Sequence, residues 1–278
     1  MGTVIIPAHN EAAVLPRTLD SLAQAISSGT VEVIVACNGC TDQTAAVARS
    51  YPRVRVIEIG EASKTAALNA ADRTASHWPR LYLDADIELT LDALFATLEL
   101  LAGSETVYCA RPAFRYDYSG ATWPVRAYYR ARTRLPQSAA SMWGAGVYGV
   151  NEKGHNRLGE FPPVTADDCL IDRLYRAHEK AVVPCHPVTV HTPRTARALI
   201  ATLKRIYRGN GELQHLQGSH TVRTVRELAG SVHSLLSAFD AVVYGVFALL
   251  GRRPDGKGGA SRTATWERDE TSRTDTRP

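Results

Sequence analysis

The sequence predicts an α/β fold, a mostly parallel sheet with helices on its faces, and three observations predict it. Short apolar runs alternate with helix-period stretches over the first hundred residues, which is the rhythm of successive β-α-β units. The runs end in polar or turn-forming residues, where parallel sheets bind their ligands. From Ala196 onward the pattern is mostly helical.

The elements follow in order. Val4–Ile6, ended by Pro7, is a short buried strand. Ala13, Leu15, Leu19, Leu22 and Ile26 recur at helical spacing up to Ser27-Ser28-Gly29. Val31–Ala36 is a second strand, followed by the turn residues Asn38-Gly39 and a helix over Asp42–Arg49. A third strand, Val54–Ile59, precedes a helix over Lys64–Ala75. Leu81–Leu83 is a fourth strand, ending in Asp84-Ala85-Asp86 before a helix over Leu91–Leu101. Val107–Phe114 is another strand. Gly144–Val150 is strand-like and rich in glycine, which lets a backbone come close to a ligand. A helix starts near Asp167 and runs through Leu170, Ile171, Leu174 and Tyr175.

Composition narrows the function classes. The 278 residues are 45% hydrophobic and 22% charged, an ordinary globular balance. The net charge of +4 is too mild for a nucleic-acid-binding footprint. Basic residues concentrate late, at Arg194, Arg197, Lys204, Arg205, Arg208, Arg223, Arg226, Arg252 and Arg253, where they suit an anionic ligand or a membrane surface. Five cysteines do not make a disulfide framework. Cys37 and Cys40 form a C-x-x-C without the second pair that zinc needs, and read as loop thiols in a reducing compartment. No basic leader with an apolar core follows Met1, so the expected location is cytoplasmic.

Two acidic motifs carry chemistry. Asp84-x-Asp86 directly follows a strand, and two carboxylates there suit a hard divalent cation that also binds substrate phosphates. The competing reading is a solvated acidic turn. Asp167-Asp168 opens a helix, where one carboxylate either caps the helix or acts as a general base on an attacking hydroxyl. There is no G-x-x-x-x-G-K-[ST], no strand-linked G-x-G-x-x-G and no G-x-S-x-G elbow. NTPases, dinucleotide dehydrogenases and serine hydrolases therefore lack support.

Together, Val4-Ile5-Ile6-Pro7-Ala8-His9-Asn10-Glu11, Cys37-Asn38-Gly39-Cys40-Thr41-Asp42, Lys64-Thr65-Ala66-Ala67-Leu68-Asn69, Asp84-Ala85-Asp86 and Asp167-Asp168 resemble the family 2 glycosyltransferases of the GT-A fold, over residues 3 to 210. The resemblance implies a GT-A type, Rossmann-like mixed sheet and an inverting transfer from a nucleotide-sugar, with a UDP-sugar as default. It implies that Pro7, Ala8, Asn10 and Glu11 cup the nucleotide and that Asn38 lies against the base. Lys64 and Asn69 stand near ribose or diphosphate, and Asp84 near the donor ribose or sugar. Asp86 binds Mg²⁺ or Mn²⁺, with His191 a candidate further ligand. Asp168 matches the catalytic base, and Asp167 replaces the usual Glu before it. Two departures stand out. Cys37 and Asn38 replace aspartates of the family pattern, leaving the nucleotide open. Lys204-Arg205-Ile206-Tyr207-Arg208-Gly209 lacks the Gln and Trp of the processive Q-x-x-R-W signature, so one sugar moves per encounter, with Arg205 and Arg208 available to diphosphate or a lipid phosphate.

The expected organisation is a catalytic domain over 1–195, with a nucleotide-sugar half to about 105 and an acceptor half over 106–195. A helical segment over 196–250 and a disordered tail over 251–278 follow. Residues 231–250 are apolar apart from a stripe of His233, Ser237, Asp240 and Tyr244 at helical spacing. This segment lies on a bilayer, packs on a partner chain as in a homodimer, or is buried in its own protein. A carbohydrate, glycolipid or polyprenyl phosphate is the expected acceptor, as in cell-envelope or glycolipid biosynthesis, with peripheral contact on the cytosolic face of the membrane. Two competing readings are a non-catalytic nucleotide-sugar-binding scaffold and a sugar-phosphate nucleotidyltransferase.

Overall fold

The computed structural model describes residues 1–213 and 221–253. The elements run β1 Gly2–Ala8, α1 Leu15–Ser21, α2 Ala23–Ser28, β2 Val31–Asn38, α3 Thr44–Arg49, β3 Val54–Ile59, α4 Lys64–Asp72, β4 Arg80–Leu83, α5 Leu91–Gly103 and β5 Cys109–Asp117. They continue with α6 Trp123–Thr133, α7 Pro136–Ala140, β6 Val147–Val150, α8 Glu152–Leu158, α9 Asp167–Leu174, β7 Lys180–His191, α10 Ala196–Glu212, α11 Thr221–Gly230 and α12 Leu235–Arg252.

The strands form one seven-stranded sheet in the order β3-β2-β1-β4-β6-β5-β7. Strand β1 lies between β2 and β4, parallel to both, with Val4 opposite Val33 on one side and Leu81 on the other. Burial on both faces explains its unbroken apolar run. Val4, Ile6, Leu15, Leu19, Val33, Val35, Leu81 and Leu94 meet in one core, so the amphipathic stripes of α1 and α5 close on the sheet. The expected α/β class is what the structure shows.

Strand β6 runs antiparallel to β4, with Leu83 opposite Val147 and Tyr82 opposite Tyr148. This reversal matters for the site. It brings the loop entering β6, Gly144–Gly146, to the carboxyl end of β4, where Asp84 begins its turn.

Several expectations are corrected. The helical stretch over 13–26 is two helices, broken at Leu22. The helix from Lys64 ends at Asp72, and α12 starts at Leu235, where Ser234 caps it through its side chain. Cys37 is not a loop thiol: it is a buried residue of β2 in the core. Burial, with Cys40 beside it, pushes its pKa up to about 12, so it is an inert thiol. The edge strand β7, whose exposure pattern is irregular, was not anticipated.

The chain divides into two compact units, residues 1–115 with 142–190, and 116–141 with 191 onward. Helix α6 therefore groups with the C-terminal helices, whereas the sequence-order division at 195 keeps it apart from them. The second unit has its own core, in which Val125, Tyr128, Leu199, Leu203, Tyr244 and Phe247 pack together. Most of the tail expected to be disordered, 254–278, lies outside the described residues.

Candidate active site

In the first unit, the carboxyl end of β4, the β6 loop and the start of α9 meet around an open pocket. Pro7, Lys64, Asp84, Gly146, Tyr148, Asp167 and Asp168 line it. At its centre the Lys64 ammonium donates to Asp84 Oδ1 at 2.8 Å and reaches Asp167 Oδ1 at 2.8 Å. Burial opposes the Lys64 charge, but the Asp167 and Asp84 carboxylates outweigh it and hold its pKa above the usual lysine value. Lys64 is the first residue of α4, presented there by Ser63, whose hydroxyl caps the helix by accepting from the Ala66 N–H.

The two aspartates of α9 differ. Asp167 is 2% exposed, and its other oxygen accepts from the Tyr148 hydroxyl at 2.7 Å. It does not cap the helix, because Ala166 occupies that position without a side-chain bond. Asp168 is half-buried and accepts from the Gly144 N–H at 3.2 Å and the Cys169 N–H at 2.7 Å. Burial and the neighbouring Asp167 charge push its pKa up to about 6, against the pull of Lys64. Burial also raises Asp84, with Asp86 and Asp167 adding to the effect and Lys64 opposing it.

The turn carrying Asp84 and Asp86 is held from three sides. The Asp84 N–H donates to Gly146 O at 2.8 Å, the Ile87 N–H to Asp84 O at 3.2 Å, and the Thr18 hydroxyl to Ala85 O at 2.8 Å. Gly146 has φ +65°, and a Cβ there would stand 2.5 Å from Ile87 Cγ1 and 3.3 Å from Asp84 Oδ2. Only glycine lets the β6 loop lie this close to the acidic turn.

The model of Glycosyl transferase family 2 matches residues 3–151, more than half of the chain.

The chain belongs to glycosyl transferase family 2.

No curated protein matches this transferase. Among solved structures, the mannosyltransferase PcManGT from Pyrobaculum calidifontis, in complex with GDP-Man and Mn²⁺, superposes with a TM-score of 0.62 at 19% identity, over 90% of this chain and 87% of that one. Glucosyl-3-phosphoglycerate synthase from Mycobacterium tuberculosis, in complex with Mn²⁺, UDP and glucosyl-3-phosphoglycerate, gives 0.53 at 22% identity over 73% and 78%. S. aureus TarS 1–349 gives 0.50 at 14% identity over 89% and 70%. Identities this low speak for the fold alone, and that fold is GT-A.

The other anticipated residues of the transferase fall into groups. Pro7 lines the pocket. Asn10, at φ +53°, accepts from the Thr41 and Asp42 N–H groups at 2.7 and 3.2 Å. The Glu11 N–H donates to the Thr44 hydroxyl at 2.7 Å, and the Ala12 N–H to Asp42 Oδ2 at 3.2 Å. The loops after β1 and β2 are thus one hydrogen-bonded body. Ala8 and Asn38 are fully buried inside it, the Asn38 amide donating to Ala8 O at 2.9 Å. Asn69 spends both ends of its amide on the Phe161 backbone, at 2.8 and 2.9 Å. Asn38 thus ties the ends of β2 and β1, and Asn69 ties Phe161 to α4.

His191, Arg205 and Arg208 belong to the second unit. His191 Nδ1 lies 3.3 Å from Asp117 Oδ2, and both arginines lie on α10. Among the described residues, no group of three His, Cys, Asp or Glu is arranged to hold a metal ion. Sequence reasoning placed Tyr148 only within the strand-like segment Gly144–Val150. Its bond to Asp167 follows from the β4–β6 register, which no local pattern announces.

Proposed function

We propose that this transferase moves a single sugar per encounter from a nucleotide-sugar, by default a UDP-sugar, to an acceptor hydroxyl or lipid phosphate with inversion at the anomeric carbon. The observation that carries the reading is the convergence of Asp84, Lys64 and the Asp167–Asp168 pair on one pocket. Asp168 is the general base. It takes the proton of the attacking hydroxyl as the acceptor oxygen bonds to the anomeric carbon and the bond to the diphosphate breaks. A pKa near 6 suits this task, because the group is ionised at neutral pH and still holds a proton well. Asp167 is the positioning residue, tied to Lys64 and Tyr148. Lys64 offers its charge to the departing diphosphate.

Asp86, with Asp84 beside it, would hold Mg²⁺ or Mn²⁺. The fit rests on charge: Asp84, Asp167 and Asp168 line the pocket with Lys64, Asp86 lies near enough to raise Asp84, and such ions need only one or two carboxylates beside substrate phosphates. When bound, the ion neutralises the charge developing on the leaving diphosphate. The Mn²⁺ and nucleotides in the complexes of PcManGT and the mycobacterial synthase support this reading. Pro7 and the loop of Ala8, Asn10 and Glu11 form the nucleotide's cradle. The acceptor is a carbohydrate, glycolipid or polyprenyl phosphate, met on the cytosolic side.

The test is donor turnover with purified chain and Mn²⁺. Asp168→Asn is expected to lower kcat by about 10²–10⁴ while donor affinity holds, and Asp86→Ala to remove the Mn²⁺-dependent thermal shift given by UDP. Full turnover by Asp168→Asn would end the assignment. A larger shift with GDP than with UDP would replace the donor.

A further inference from the structure

Helix α12 is inside out for a surface helix. Its polar stripe faces inward: Ser237, Asp240 and Tyr244 are buried, with Asp240 0% exposed. Arg130 of α6 grips Asp240 through two bonds, at 2.6 and 3.1 Å, and Arg134 adds a third at 3.1 Å. The apolar side faces out. Leu235, Phe239, Val242, Val246 and Leu249 are 93%, 46%, 65%, 50% and 65% exposed. They recur every three or four residues and so share one face, a strip about 21 Å long at the helical rise. Trp123 of α6, 60% exposed, widens the strip, its ring 5.8 Å from that of Phe239. A contiguous apolar patch of this kind marks a surface that meets something.

The charge of the unit says what it meets. The described residues of the second unit carry thirteen Lys and Arg against four Asp and Glu, a net +9. On α12 the single carboxylate is the buried one. Arg126, one turn beyond Trp123, and Arg252 and Arg253, at the end of α12, are exposed. Two copies meeting face to face through this strip would bring two strongly positive units together. A negatively charged bilayer surface instead satisfies the apolar strip and the arginines together. By length and composition α12 could also cross a membrane. Crossing would strip Asp240 from both arginines in a medium that does not tolerate a lone carboxylate.

We propose that the outward face of α12, with Trp123, docks on an anionic lipid bilayer, the helix lying in the interfacial plane. The proposal does not depend on the transferase chemistry. Flotation of the full chain with phosphatidylcholine vesicles, with and without phosphatidylglycerol, tests it. The chain is expected to float with the anionic vesicles, less so as salt rises, and to bind pure phosphatidylcholine weakly. Val242→Glu with Val246→Glu should lower partitioning more than about ten-fold at an unchanged Tm, since both side chains are exposed. Arg126→Gln and Arg253→Gln should each lower it about five-fold. Tryptophan emission should shift to the blue on vesicles, and Trp123→Phe should abolish most of that shift. An intact chain that stays at the bottom with every vesicle overturns the proposal. So does a dimer in sedimentation that the double Glu variant turns monomeric while neither form floats, which would assign the strip to a second copy.

Discussion

Each unit of the molecule buries a carboxylate among cations, and the two arrangements behave in opposite ways. In the second unit, Asp240 meets two arginines in three bonds. Burial alone would raise its pKa, but the arginine bonds win and hold it below the ordinary aspartate value. In the first unit, Lys64 is shared between Asp84 and Asp167. Asp168 and Asp86 add two further carboxylates, and both Asp84 and Asp168 are raised. The lesson is one of balance. A buried acid held by two arginines is an anchor, whereas acids gathered around a shared lysine beside a pocket give a raised group able to exchange protons.

Three measurements bear on this contrast. The largest effect belongs to the anchor. Asp240→Ala leaves Arg130 and Arg134 half-buried without their acid, and a loss of about 3 kcal/mol in urea unfolding is expected. A loss under a few tenths would mean that Asp240 does not hold α12. The next effect has the opposite sign. Asp168 titrates near 3.8 in the unfolded chain and near 6 in the folded one. Below pH 3.8 both states hold the proton and the residue costs nothing. Above pH 6 both are ionised and the fold carries the full cost. Asp168→Asn should therefore gain about 2 kcal/mol at pH 8 and lose that gain as the pH falls from 6 to 4. A gain that does not vary with pH would detach it from ionisation. The smallest effect is that of Tyr148→Phe, which leaves Asp167 Oδ2 short of its donor. It should cost about 1 kcal/mol and slow kcat more than it raises KM if Asp167 positions the base.

Much of the frame was readable along the chain. The apolar runs of β1, β2, β3 and β4 sit where the alternation puts them, because a strand covered on both faces must be apolar along its length. The acidic turn at Asp84 was legible at a strand end for the same topological reason, whereas Asp168 was legible as part of an acidic pair opening a helix and Lys64 only through the family resemblance. Asn38 and Asn69 were named too; the Asn38 amide nitrogen donates to Ala8 and the Asn69 amide pairs with the Phe161 backbone, partners 30 and 92 residues away. No pattern within a window could reveal those bonds. Edge strand β7 was missed because its exposure does not alternate. In α12 the stripe was visible, but which side of it faces inward was not.

That last case marks the division. Local pattern settled the fold class, the order of its elements and the residue types at the mouth of the sheet, since periodicity and turn chemistry act over a few residues. Long-range pairing settled the rest. The antiparallel entry of β6 delivers Gly146 and Tyr148 to the acidic turn, and two arginines on α6 pull Asp240 inward and leave the leucines and valines of α12 facing out. Such outcomes depend on which distant surface supplies the missing charge or hydrogen bond, and that is decided only when the chain closes on itself.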